Sequence, residues 1–139
     1  MDHAYATLLL SGEVKKTPFR RRKSIRSKNQ DMDMVVEVFS GPGKAAVVVT
    51  LVNTFHDGVW EFDGAYLTRD VSHFTSRPFA LRMDRSTLVS GQTGTIAVVA
   101  DKSAFESKDG QLTDLILQIF RGDGRQQVAV LLEHTLVRQ

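Results

Sequence analysis

The side chains able to do chemistry in this chain are four histidines, a scatter of carboxylates and hydroxyls, and one dense run of cations. His3, His56, His73 and His134 show no HExxH or HxH spacing, so none reads as a metal ligand. The chain has no cysteine. That excludes thiolate nucleophiles, disulfides and sulfur-ligated zinc. A serine–histidine–aspartate triad is spatial and can form around His56 or His73, but no GxSxG elbow accompanies it. Glu61 and Asp63 stand two apart on one strand face. A glycosidase needs two carboxylates about 5–10 Å apart across a cleft, and the outer face of a sandwich also calls for polar residues at this spacing. Asp57, Asp101, Asp109 and Asp123 fall in turns, where aspartate serves the turn's own hydrogen bonds as readily as calcium. Ser90-Gly91-Gln92-Thr93-Gly94 lacks the lysine and the following helix of a phosphate loop. In Ser40-Gly41-Pro42-Gly43 the proline removes a backbone donor, so both segments read as turns. The expectation is a protein with no catalytic residue, no metal and no cofactor.

The cations remain. Residues 1–30 carry eight basic and two acidic side chains, whereas residues 31–139 carry ten and fourteen. The overall +2 and the pI of about 9.1 are therefore set by one segment on an otherwise acidic body. Lys15, Lys16, Arg20, Arg21, Arg22, Lys23, Arg26 and Lys28 are the candidate interaction residues. Such a density suits anion contacts. Phe19 alone does not make a stacking platform for bases, and no nucleic-acid module accompanies the run. An acidic body repels a phosphate backbone, which favours an acidic protein surface as the partner. Pro18 forbids a continuous helix from Lys15. Residues 13–30 read as a basic loop or arm, or as a poorly held edge strand.

The elements that must position these residues are mostly strands. Met32, Met34, Val36 and Val38 alternate with Asp33, Val35, Glu37 and Phe39, which predicts a strand with one inward face. Ala45 to Val52, apolar except at Thr50, predicts a central strand buried on both sides. Val59–Thr68, Phe79–Asp84, Thr95–Ala100, Leu112–Phe120 and Val128–Leu132 predict further strands, and Gly122-Asp123-Gly124 marks a hairpin between the last two. Trp60, Phe62 and Tyr66 share one face and belong to the core on this reading, and Gly64 marks a bulge. Tyr5–Leu10, ended by Ser11-Gly12, predicts a first strand. Lys102–Gln111 reads as a charged link. Short strands at regular spacing with weak helical periodicity give an all-β class: one antiparallel, immunoglobulin-like β-sandwich over residues 1–139, with a basic N-terminal segment.

The segments LLLSG (Leu8–Gly12), VTLVN (Val49–Asn53), Trp60 before Ala65–Thr68, FALRMDRSTLVSGQTGTIAVVAD (Phe79–Asp101) and LILQIFRGDGR (Leu115–Arg125) resemble a family of myxobacterial proteins of unknown function. Those proteins look like a secreted N-terminal part followed by a C-terminal β-sandwich. The resemblance implies the sandwich fold and an envelope location. It implies no chemistry. MDHAYATLLLSG lacks the basic n-region of a signal peptide, and no apolar run approaches the roughly 20 residues of a membrane-spanning helix. The expectation is a cytoplasmic protein, or an envelope protein if the chain is a fragment of a longer secreted one.

The functional expectation is a non-catalytic interaction or scaffold domain with a protein partner, itself included. Val128–Leu132 and Val59–Leu67 are candidates for edge-to-edge pairing. A nucleic-acid-associated protein using Lys15–Lys28 is the alternative. The third reading is a carbohydrate-binding module or hydrolase around His56, Trp60 and Glu61.

Overall fold

The computed structural model describes residues 1–29, 31–70 and 75–138. His73 lies outside them. The described residues form two antiparallel sheets packed face to face, the all-β sandwich that the strand spacing predicts. The first sheet contains β1 (Arg20–Lys28), β2 (Met32–Gly41), β3 (Lys44–Asn53), β5 (Ala80–Met83) and β7 (Thr93–Asp101), in the order β1-β2-β3-β7-β5. The second contains β4 (Trp60–Thr68), β6 (Thr87–Leu88), β8 (Leu115–Arg121) and β9 (Gln126–Leu132), in the order β6-β4-β8-β9.

The core lies between them. Val36 and Val38 of β2, Val47, Val49 and Leu51 of β3, and Ile96 and Val98 of β7 face Leu67 of β4 and Leu115, Leu117 and Ile119 of β8. β3 is flanked on both sides and buries both faces, as its composition predicts. Its even-numbered residues, Ala46 and Val48, join Phe39, Ala80, Ala97 and Val99 in a second apolar layer on the sheet's far side. That layer must be covered.

Helix α1 (Asp2–Leu10) covers it, burying Ala6 and Leu9 with Tyr5 and Leu10 beside them. This corrects the strand expected at Tyr5–Leu10. The residues at 5, 6, 9 and 10 form a helical stripe, and a short apolar run does not separate the two periods. Alanines at 46, 80 and 97 let the helix approach the sheet closely. Ser11-Gly12 does punctuate the segment, but as a helix end. Gly12 has φ of +79°, its N–H donates to the Leu9 carbonyl and that of Glu13 to the Leu8 carbonyl, the paired bonds of a Schellman cap.

Three further segments depart from the expected layout. The charged link holds a short helix, α2 (Lys102–Phe105), capped by Asp101 and burying Ala104 and Phe105 completely or nearly so. Just before the turn read at Ser90–Gly94 lies β6, whose Leu88 is fully buried. After β9, a 3-10 turn at His134–Val137 folds back over β2 and β3 and buries Val137.

The bulge expected at Gly64 is present: the β4–β8 register shifts between Phe62 and Gly64. One extra residue reverses which side faces inward. Trp60 is buried ahead of the bulge and Leu67 behind it, whereas Tyr66 is turned outward and 36% exposed. Tyr66 is therefore not in the core, contrary to its expected pairing with Trp60; it meets the Phe120 ring edge-on across the outer face.

Candidate functional site

The basic segment divides into two parts. Lys15 and Lys16 belong to a 3-10 turn at Val14–Lys16, where Lys16 pairs with Glu13 at 2.7 Å. Arg20 to Lys28 is not a loop or hanging arm. It is β1, paired with β2 along its length except for a bulge at Arg22. Alternating partners on a neighbour that is itself held by β3 suffice to fix it.

β1 is the outermost strand of its sheet. Eight of its nine residues are exposed, the half-buried Ser27 excepted. Both faces and the free backbone edge thus meet solvent. Arg21, Arg26 and Lys28 lie opposite Phe39, Val35 and Asp33 on the side that carries helix α1. Lys23 and Ile25 lie opposite Val38 and Val36 on the side of the second sheet.

Partners within the chain are few. Arg21 Nη1 lies 3.1 Å from Glu37 Oε2. Arg22 Nε donates to Ser40 Oγ at 2.7 Å, which holds the bulge down. Among the described residues, Arg20, Lys23, Arg26 and Lys28 have no ion pair within 4 Å; Lys28 faces Asp33 in the register without reaching it. Among the described residues this leaves four cations without an ion pair along one open edge.

Beside β1 runs a groove of about 380 Å³ between the inner face of β1–β2 and the end of the second sheet. Lys23, Val38, Leu131, Glu133 and Leu136 line it. Leu131 is 49% exposed there and Ile25 of β1 is 39% exposed. β9, the outer strand of the second sheet, carries no charge. Val59–Leu67, by contrast, is no free edge: β4 sits between β6 and β8, and Ser76, Arg77 and Ser86 bond its remaining amides and carbonyls.

The other candidate residues are scattered. Trp60 and Glu61 line a cleft of about 190 Å³ with Asp31, Phe55, Val59 and Arg121, but His56 is not among its lining residues. Trp60 is buried and its indole N–H is committed to Gln127 Oε1 at 3.1 Å, so its ring offers no platform for a sugar. Glu61 and Asp63 are both exposed, with the bulge between them. His3 is exposed on α1. His134 Nδ1 lies 2.6 Å from Asp114 Oδ1, and Arg138 Nη2 lies 3.2 Å from its Nε2. In a hydrolytic triad a nucleophile would occupy the place Arg138 holds. Asp114 is held below the usual carboxylate range, chiefly by the His134 backbone N–H and then by its ring.

Three of the four turn aspartates serve their turns. Asp101 accepts from the Ser103 N–H, Asp109 from Ser107 and the Gln111 N–H, and Asp123 from the Arg125 N–H. Arg121 grips Asp123 through Nε and Nη2 at 2.6–3.0 Å and holds its carboxyl down at about 2. Among the described residues, no three acidic or histidine side chains converge on a point where a metal ion would sit. Among the described residues, no helix is long and apolar enough to cross a membrane.

Residues 1–131 match the model of a family described as a protein of unknown function, DUF2381. The chain belongs to that family. No curated protein matches it. The match takes in α1 and β1 of this DUF2381 chain as well as the sandwich strands, so the basic edge lies inside the family's own extent.

Proposed function

We propose that this DUF2381 domain is a non-catalytic protein-interaction module that holds an acidic partner against its basic edge strand. One observation carries the reading: among the described residues, Arg20, Lys23, Arg26 and Lys28 line an open edge with no ion-paired carboxylate of their own. Complementary charge steers association and selects partners more than it adds raw affinity. The myxobacterial origin of the resembling family belongs to this proposal, resting on the Phe79–Asp101 and Leu115–Arg125 segments.

Self-assembly forms a second reading, favoured by β9. Two copies of β1 side by side would set cation against cation, which costs stability. β9 is outermost, uncharged and edged by the exposed Leu131, so a homotypic contact would use it instead.

The test is a titration of the protein against a labelled polyglutamate peptide and a labelled single-stranded DNA, followed by anisotropy at two salt concentrations. The expected result is peptide binding that weakens with salt and disappears in the Arg20→Glu, Lys23→Glu, Arg26→Glu triple variant. Binding of the DNA in preference to the peptide would sink the acidic-protein reading. Light scattering behind a sizing column covers the second: a discrete dimer lost on Leu131→Lys supports β9 pairing, and a monomer removes it.

A further inference from the structure

We infer that β1 takes its partner as an added β-strand, and that the partner alternates acidic with apolar residues. This rests on the interaction reading above and makes its chemistry specific. An edge strand presents every second residue's N–H and C=O outward, and an extended segment can satisfy them. β1 has the length for it, nine residues in regular pairing except at Arg22.

The two faces of β1 ask for different side chains. Directly opposed residues of neighbouring strands lie on the same face of a sheet. Residues of an incoming strand opposite Arg26 and Lys28 would lie on the α1 side, where Arg26 has only Val35 across the ladder. Acidic side chains fit there. Residues opposite Ile25 would lie on the other side, over the groove. Its wall offers Val38, Leu131 and Leu136, and the cations Arg22 and Lys23 at its end stand beside its one carboxylate, Glu133. An apolar side chain fits there over Ile25, which is 39% exposed. From Ile25 to Lys28, beyond the bulge at Arg22, the strand period of two places acids and apolar groups on these faces.

The same pattern explains why β1 would not pair with another β1. The cations repel their own copies and admit an acidic strand, which is selection through repulsion as well as attraction.

The test uses the intact protein and four capped synthetic peptides of the length of β1. One alternates glutamate with valine, one has the same composition in two blocks, and two are the alternating peptide N-methylated on one or the other set of alternate amides. The alternating peptide is expected to bind at least about tenfold more tightly than the block peptide, equivalent to about 1.4 kcal/mol. One N-methylated peptide is expected to lose binding, since only one set of amides would face β1. Hydrogen exchange of the Arg20–Lys28 amides should slow in the alternating complex. Equal binding by all four peptides would overturn strand addition while leaving charge docking in place. Binding by none would overturn both. Ile25→Asp is the second check: it should weaken the alternating peptide and leave the block peptide within about twofold, and an equal effect on the two would count against the apolar face.

Discussion

Arg21 Nη1 lies 3.1 Å from Glu37 Oε2 across the β1–β2 ladder, and among the described residues this is the one ion pair made by a β1 cation. The pair is well exposed, so its worth is small, about 0.2–1 kcal/mol. Arg21→Ala should cost no more than that in urea unfolding. The unpaired cations have a different role in the free protein, because charges on an open edge keep strands of separate molecules apart. The triple variant Arg20→Thr, Lys23→Thr, Arg26→Thr should melt within a few degrees of the parent yet associate as concentration rises, seen as growing mass in light scattering. A variant that stays at the parent's mass would show that these charges are not needed to block edge pairing.

Lys44 ties helix α1 to the sheet. Its ammonium lies 2.5 Å from Asp2 Oδ1 and 3.1 Å from Asp101 Oδ1. Burial disfavours the charged Lys44, but the hydrogen bonds to Asp2 and Asp101 outweigh it and raise its pKa above 10.5. Burial likewise opposes the Asp101 charge, and the bonds from Lys44 and Ser103 outweigh it and lower the carboxyl below 3.8. A raised lysine stabilises the fold below its ordinary value and loses that contribution as pH rises through the folded one. A lowered carboxylate stabilises above its ordinary value and loses it as pH falls. Thermal stability should therefore hold flat from roughly pH 5 to 9 and fall on both sides. Lys44→Met should lower the plateau by about 1–2 kcal/mol, the range for charge-assisted bonds that are partly exposed. It should also flatten the alkaline limb; an unchanged alkaline limb would show that Lys44 does not set it.

The strands were legible wherever a two-residue period ran without interruption. Met32–Val38 and Leu115–Ile119 point inward as their spacing predicts. The sequence misleads where one residue or one covering element changes the outcome. Tyr66 shares a parity with Trp60, but the bulge at Phe62–Gly64 reverses the faces. Tyr5–Leu10 fits either period, and the second apolar layer decides for a helix, which is a tertiary effect. The cations of β1 were visible as a run of charge, and an edge strand was one of the two readings of their segment; which face each cation takes was not, because the bulge at Arg22 shifts the register. Gly12 separates the two readings of its segment in solution. Gly12→Ala should cost about 1 kcal/mol through its φ of +79° alone, since the added methyl meets nothing within 4 Å.

Gln118 sits on the outer face of the second sheet, yet is 2% exposed. Its amide nitrogen donates to Thr68 Oγ1 at 3.1 Å and its carbonyl accepts from Gln126 at 2.8 Å, linking β4, β8 and β9. Thr68 in turn donates to the Asp70 carbonyl, so its oxygen has a proton to give only in that direction. Gln118→Met should cost about 1–3 kcal/mol, the cost of stranding a buried polar partner. Gln118→Glu should cost more at neutral pH, because a carboxylate there is buried and faces an oxygen with no proton to offer. Burial raises such a carboxyl, so stability lost at pH 7 should return as pH falls through its raised pKa. Urea unfolding at two pH values measures this; equal losses at both would contradict the assignment of the Thr68 proton.

Phe105 carries the last prediction. It lies in a stretch whose composition is that of a charged link, yet its side chain is fully buried and is among the largest such groups in the core. The local structure places it there. Asp101 caps α2 through the Ser103 N–H, and the Phe105 carbonyl accepts from the Thr113 N–H at 2.8 Å, fastening the link to the start of β8. Phe105→Ala removes a ring from a packed site and should cost about 3–5 kcal/mol. Lys102→Ala, three residues away and exposed, should stay within about 0.5 kcal/mol. Denaturant midpoints for the two variants test this directly. If Phe105→Ala were as mild as Lys102→Ala, the link would be a surface loop as its charge suggests, and α2 would not contribute to the core. If the loss is large, Phe105 is part of the core that joins β7 to β8.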